Sequence, residues 1–506
     1  MKKNVLGLLL SIVSVAGLVG CNNTESDEKL EVIWWNNYQT PDLATMTEED
    51  ARKKNTYREY YYAKDLIEAY EKEHTDVTIK TVFQGSYSEI KKKVDSALSG
   101  GSLPSIVSVY ADNAYSWYES DALVDLTSFA NELAKDSDFN QNYLSIEKGM
   151  YGNGAVLTLP YSKSGETFVY NETVFNKVGK GAAGEDKGTY KAPVAGESKT
   201  KYAVPTNWDE MIAIARKMKT DFPDVFKNQR DSNNYFTAVP FCWDSTENMF
   251  ISLMQNAGIP YTASGDKIED RVLFNNQQAK DLVVQLKKWN NEGLICTQNQ
   301  LPISSGTYHE YGSNIFCKGN IFMSMSSTAG ARYFTNDGFL ANMTKALAWG
   351  NGTSAKAISQ GPSLAFFKNK NSKVVDAALD FYKYLTNTTN SAELAVNTSY
   401  FPLRKSAADT TKVKTLTDAA ATKPADNAAA SVKGNYYAGT VMKLNDTYTA
   451  NNSYFLSPVT EESGKCRTAV GSLINTVFDD KTATTDEEIK TLVDNAFKTA
   501  YTSVTK

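Results

Sequence analysis

Few residues in this chain could carry out covalent chemistry. Its 506 residues include two histidines, His74 and His309, far apart in sequence. A zinc site built mainly on imidazole needs more than that. A Ser-His-Asp or Cys-His apparatus would be confined to those two rings. His74 ends a charged helical stretch and reads as a solvated helix end. His309, in Gly306-Thr307-Tyr308-His309-Glu310, reads as a loop or helix start. Cys242, Cys296, Cys317 and Cys466 form no CxxC pair, which disfavours redox and thiolate-zinc chemistry. Two fates stay open for them: a disulfide, with Cys296–Cys317 closing the shortest loop, or four buried thiols. No GxxxxGK[ST], GxSxG or HExxH occurs. Acid pairs such as Glu48-Glu49 and Glu461-Glu462 read as charged surface, because sequence fixes no carboxylate separation for glycoside cleavage. The expectation is a protein with no catalytic residue, no metal and no cofactor. A surface polysaccharide hydrolase is the enzymatic alternative.

Binding chemistry is better supplied. The chain holds 29 tyrosines and 7 tryptophans, and its net charge of −5 is mild. No Lys/Arg block suits nucleic acid. The elements that would position the aromatics begin with Leu30-Glu31-Val32-Ile33-Trp34-Trp35, a β-prone run. A helix from Tyr57 to His74 carries Tyr62, Leu66, Ala69 and Tyr70 on one stripe. Val77–Phe83 alternates as a half-buried strand. Ser86–Leu98 is helical, with Ser86 and Glu89 in capping-box spacing and Gly100-Gly101 as its stop. Ile106–Tyr110 is a third strand. Strand, helix, strand, helix, strand marks a doubly wound α/β sheet, which binds ligands at the carboxyl ends of its strands. Those ends carry Trp35, Asn36, Asn37 and Tyr38, then Gln84–Tyr87, then Tyr110–Asn113.

The N-terminus supplies an address. Lys2 and Lys3 precede an apolar run from Val5 to Leu18, and Leu18-Val19-Gly20-Cys21 ends it. This resembles a bacterial lipoprotein signal peptide with its lipobox. The resemblance implies cleavage before Cys21, a lipid on Cys21, and an extracytoplasmic protein anchored to the membrane. Asn22–Lys29 is polar and reads as a flexible tether. Further on, Gly179–Ala203 reads as a surface insertion. A helix from Trp208 to Lys219 takes Thr206 as its cap and turns Trp208, Met211, Ala215 and Met218 inward. Later helices fall near Asn248–Ala257, Gln277–Asn291 and Val374–Leu385, with two more at the C-terminus. One of these carries Val470, Leu473, Ile474, Val477 and Phe478; the other follows the Thr485/Glu488 capping box. Asp418–Ala430 is a surface helix or a loop.

Several segments, in order, resemble the family 1 extracellular solute-binding proteins of bacterial ABC importers, of the maltose and glycerol-phosphate type. They are Val77–Tyr87, Gly100–Val107, Leu159-Pro160-Tyr161-Ser162, Tyr170–Phe175, Pro205–Met211, Phe316–Ala329, Gly361–Ala365 and Thr398–Arg404. The resemblance implies two doubly wound α/β lobes joined by three crossing strands, a type II periplasmic-binding-protein-like fold. Leu159–Ser162 would open the first crossing, Phe316–Ala329 the second and Gly361–Ala365 the third. The expected boundaries are 30–162 plus 328–358 for lobe 1 and 163–327 plus 359–506 for lobe 2. The implied protein is a monomer that closes on a small-molecule solute and delivers it to permease subunits.

Carried over residue by residue, the resemblance implies a site at Tyr87, Ser164, Ser326 or Ser327, Gly361 and Tyr400, with Asp112 one place beyond the family's acid, where Ala111 stands. The strand-end reading adds Trp35, Asn36 and Tyr38. The phosphate-clamping arginine expected near the C-terminal helices is not evident: Val459–Glu462 stands there, and Arg467 matches a different arginine. A neutral sugar or oligosaccharide is therefore the expected ligand, with a glycerol-phosphate-type binding protein as the alternative. Candidate stacking platforms are Trp34, Trp35, Tyr38, Trp117, Trp243 and Trp349. Trp243, beside Asp244 and Glu247, is the favoured one in the second lobe.

Overall fold

A computed structural model describes residues 29–149, 154–176, 202–305, 308–350, 354–451 and 453–506. Cys21 and nearly all of the Gly179–Ala203 insertion lie outside the described residues. Among the described residues no helix is long and apolar enough to cross a membrane.

Two five-stranded sheets each anchor one lobe. The first has the order β2 (Val77–Phe83), β1 (Leu30–Asn36), β3 (Ile106–Val109), β13 (Ser363–Phe366), β4 (Leu159–Pro160), numbered in chain order. β1 runs parallel to β2 in unbroken register from Leu30 against Val77 to Asn36 against Phe83. β13 returns antiparallel to β3 and β4. Alternation along β1 splits the lobe's core between the two sheet faces. Val32 and Trp34 pack with Tyr62, Tyr70 and Phe381 on one face. Trp35 packs with Val107, Val109 and Trp117 on the other.

The second sheet has the order β11 (Ala341–Thr344), β5 (Glu166–Asn171), β10 (Ile321–Ser327), β6 (Val239–Trp243), β7 (Ile295–Thr297). β10, β6 and β7 run parallel, and β5 is antiparallel to both its neighbours. Trp208, Met211, Ala215 and Met218 are buried on it, as their spacing requires. The cap of their helix is Asn207, whose side chain accepts from the Glu210 N–H at 3.0 Å. Thr206, the expected cap, instead donates to the Glu210 carboxylate. Both expected capping boxes form, Ser86 with Glu89 and Thr485 with Glu488.

Strand pairing corrects the expected boundaries. Segment 328–358 contains β11, which pairs with β5 and belongs to the second sheet. Segment 359–506 contains β13, which belongs to the first. Phe316–Ala329 is likewise no crossing: β10 is the central strand of the second sheet. The chain passes between sheets at 161–165 and again at 345–362. It passes a third time after the helix Thr388–Thr398, whose Leu394 and Ala395 lie in the first core. That passage runs through helix Thr411–Ala419 into helix Ala430–Ala450, whose Tyr437 and Val441 lie in the second core. Gly361 thus opens the strand of the second passage, and the third passage is helical. Asp418–Ala430 is mostly the turn between those two helices.

Cys242, Cys296, Cys317 and Cys466 are free thiols, so the disulfide alternative at Cys296–Cys317 is not realised. Cys296 instead sits in register with Cys242 on the neighbouring strand. The Cys317 thiol donates to the backbone carbonyls of Tyr333 and Thr335.

Candidate functional site

The two lobes meet over a cleft whose walls are tyrosine and carboxylate. On the first lobe, Tyr38 follows the carboxyl end of β1 and stands edge-on to Trp34 at 5.5 Å. Tyr87 opens the helix behind β2, fixed by the Ser86/Glu89 box, and its ring lies 4.7 Å from Tyr110 at the end of β3. Tyr400 is aimed by Ser399, a left-handed residue at φ 63° that ends the helix Thr388–Thr398. Burial raises the hydroxyl pKa of all four tyrosines. At Tyr87 the neighbouring hydroxyls of Tyr400, Tyr110 and Tyr38 add to it. Four rings from four segments converge on one place.

The second lobe presents Tyr311 and Tyr333, which are 61% and 37% exposed. Behind them Asp244 accepts from Ser326 at 2.6 Å and from the Gly312 N–H at 3.1 Å. Burial pushes the Asp244 carboxyl up to about 6. Arg467, on helix Ser463–Asp479, reaches across to the first lobe. Its guanidinium lies 3.9 Å from Asp112 and 5.2 Å from the Tyr110 ring centre, and it donates to Asn248. Asn248 in turn donates to Gln360 at 2.6 Å. Burial raises the Asp112 carboxyl, and the Arg467 charge opposes that rise. A cavity of about 60 Å³ beside this group is lined by Asp112, Gln360, Gly361 and Arg467. Oxygens of Asp112, Thr262 and Ser359, also on its wall, are shielded from solvent without a partner.

Glu166 stands where the first passage enters β5. It accepts from Trp243 at 3.1 Å and Ser252 at 2.8 Å, yet burial pushes its carboxyl up to about 7. An acid whose folded pKa lies above its unfolded value binds more protons when folded. Its stabilisation is complete below the unfolded carboxylate range near pH 4.5 and is lost as pH rises through 7. Glu166→Gln is therefore expected to flatten the decline in stability between pH 4.5 and 7 and to exceed the parent in stability at pH 8. Urea unfolding across that range checks it; an unchanged slope would count against the assignment.

The expected site residues divide. Asp112 lines the cavity beside Arg467, and Tyr87 and Tyr400 gather around Tyr110, which lines it too. Tyr38 is 5% exposed and packs in the core of its lobe against Trp34. Ser164 and Ser327 meet through their hydroxyls at 3.3 Å, and Ser326 orients Asp244. Trp35 packs into the core of its lobe. Asn36 is fully buried; it donates to Thr81 and to the Trp34 carbonyl and accepts from the Tyr38 N–H, so it shapes the turn that delivers Tyr38. Trp243 is 3% exposed, stacks on Trp208 at 6.0 Å and donates to Glu166, so it forms part of the core rather than a free platform. Gly361 is where the first two passages touch. Sequence reasoning missed Asn248, Gln360 and the role of Arg467. A signal for Arg467 exists: it sits on the apolar stripe of its helix, three and seven residues before Val470 and Ile474.

Two α/β lobes, three passages between them and a polar-aromatic cleft at their meeting define a hinged solute-binding protein. The chain belongs to the bacterial extracellular solute-binding proteins, whose family model matches residues 65–423. It is 22% identical over 368 residues to the sn-glycerol-3-phosphate-binding periplasmic protein UgpB of Pectobacterium atrosepticum, covering 69% of this chain and 71% of that one. Solved structures share the type II fold. UgpB of Mycobacterium tuberculosis, in complex with glycerophosphocholine, matches with a TM-score of 0.62 at 14% identity over 94% of this chain and 98% of that one. MalE of Bdellovibrio bacteriovorus, bound to maltotriose, matches with a TM-score of 0.61 at 14% identity over 93% and 99%.

Proposed function

We propose that this protein is the solute-capturing component of an ABC importer. It takes a sugar or oligosaccharide into the inter-lobe cleft and delivers it to permease subunits. The observation that carries this reading is the convergence of Tyr38, Tyr87, Tyr110 and Tyr400 opposite Tyr311 and Tyr333, with Asp112, Asp244 and Arg467 between. Sugar rings lay apolar faces on tyrosine, and their hydroxyls pair with carboxylates and guanidinium. Contacts from both lobes exist together only in the closed form, so ligand binding shifts the population toward closure. The lipid on Cys21 holds the clamp near its permease, outside the cytoplasm. In this reading the protein binds without catalysis: Asp244 is held by Ser326 and the Gly312 N–H, and Asp112 faces Arg467.

Tyr87→Ala and Tyr400→Ala are each expected to weaken binding of a sugar ligand at least about fivefold, since one lost stacking partner costs about 1 kcal/mol or more. Isothermal titration on the folded variants, with a thermal-shift screen of mono- and oligosaccharides to find the ligand, is the measurement. Unchanged affinity in both variants would move the site elsewhere. Turnover of chromogenic glycosides would favour the hydrolase alternative.

A further inference from the structure

Two guanidinium groups approach each other from opposite lobes, and neither has a carboxylate within 4 Å among the described residues. Arg58 opens the first-lobe helix Arg58–Glu73. Its three side-chain nitrogens are shielded from solvent and make no hydrogen bond of full geometry, the Tyr333 hydroxyl being the acceptor beside them. Its guanidinium carbon lies 5.6 Å from the ring centre of Tyr333, in the second lobe. Next to Tyr333 stands Arg332. It donates to Asn435 at 2.9 Å and to the Val396 carbonyl at 3.3 Å, while its Nε is shielded without a partner. Burial, then the nearby charge of Arg58, lowers the Arg332 pKa to about 10, so the two cations feel one another. Glu59 senses the Arg58 charge but forms no ion pair with it.

A shielded cation with no carboxylate in contact is costly, and two of like sign from facing lobes add repulsion on closure; Glu59, near Arg58 but out of ion-pair reach, offsets this only in part. An anion between them relieves both, and guanidinium matches planar or tetrahedral oxyanions with paired N–H donors. We infer that the captured solute carries an anionic substituent, a carboxylate, phosphoryl or sulfate group, which seats between Arg58 and Arg332 while its hydroxylated body lies on the cleft tyrosines. This rests on the cleft being the ligand site. It replaces the neutral sugar expected from the missing C-terminal arginine with an acidic one, because the cationic groups stand elsewhere, on Arg58 of the first lobe and Arg332 of the second.

The test is titration of the whole protein with matched sugars: galactose and its trimer, galacturonate and its trimer, galactose 6-phosphate and galactose 6-sulfate. At least one acidic sugar should bind about tenfold or more tighter than its neutral partner, as one charge-assisted pair is worth about 1.5–3 kcal/mol. Arg58→Gln should erase that preference and Arg58→Lys should retain part of it. Which acidic sugar wins identifies the substituent. In a parallel melting experiment at fixed ionic strength, inorganic sulfate or phosphate in place of chloride should raise the melting temperature of the parent by more than that of Arg58→Gln. Neutral sugars binding as well as acidic ones, an acidic preference that survives Arg58→Gln, or no binding of any acidic probe would overturn the inference. The cleft reading fails separately, if Tyr87→Ala and Tyr400→Ala leave sugar affinity untouched.

Discussion

Lys163→Ala is expected to destabilise the protein by about 3–5 kcal/mol, the usual cost of removing one partner of a buried ion pair. Lys163 lies in the first passage between lobes and is 3% exposed; Glu147 opposite it is fully buried. Their charged atoms are 2.8 Å apart. The Lys163 ammonium also donates to Ser363 at 2.7 Å, at the start of β13. Ser363 and Thr158 in turn donate to Glu147. One carboxylate thus ties the helix Gln141–Gly149, the first passage and the second passage together. Without Lys163 that charge stays in the interior with hydroxyl donors alone. A double variant, Lys163→Met with Glu147→Leu, is expected to recover most of the loss, because it removes both desolvation penalties at similar volume. Urea unfolding at pH 7 measures both. A loss under about 1 kcal/mol for the single variant would show that the pair contributes little to holding the passages.

Local rules carried much of this fold into the sequence. Val77–Phe83 alternates because one face is buried, and it is a strand over those same residues. The two capping boxes form because hydroxyl and carboxylate lie three residues apart, a distance the helix itself sets. What local rules do not carry is which sheet a strand joins. β10 follows a helix and a turn in either lobe equally well, so its place depends on pairing with β5 and β6, far away in sequence. Helix Ala430–Ala450 shows no clean apolar stripe because it packs against elements of both lobes, with Tyr437 in one core and Met442 in the other. The site divides in the same way. Tyr87 and Tyr400, proposed to hold ligand, stand at positions that motif order picks out. Trp243 could not be told from core, because an indole at a strand end stacks as well on Trp208 as on a sugar. Arg58 carried no signal at all: its meaning arises only when Tyr333 and Arg332 close over it.

Gly361→Ala is expected to cost at least about 3 kcal/mol and to weaken ligand binding with it. Gly361 has φ +92°, and a Cβ there would fall 1.9 Å from the Ser162 carbonyl oxygen. Around it the first two passages are laced antiparallel: Ser162 donates to the Pro362 carbonyl at 3.1 Å, and Ser164 and Gln360 exchange backbone bonds at 2.8 and 2.9 Å. An alanine must pull the strands apart. It therefore loses about 1 kcal/mol for each weakened bond, on top of about 1–3 kcal/mol for the left-handed backbone. Gly258 provides the control. It ends the helix Thr246–Ala257 at φ +67°, and a methyl group there would meet nothing within 4 Å, so Gly258→Ala should cost only about 1–2 kcal/mol and leave binding unchanged. The contrast separates backbone conformation, which both positions share, from close approach, which Gly361 alone requires. Because the crowded carbonyl belongs to the strand that carries Ser164 into the cleft, the displacement reaches the binding surface as well as the hinge. Equal losses in the two variants, by urea unfolding and by titration with the same sugar, would mean that the passages yield at this contact and that the hinge does not depend on it.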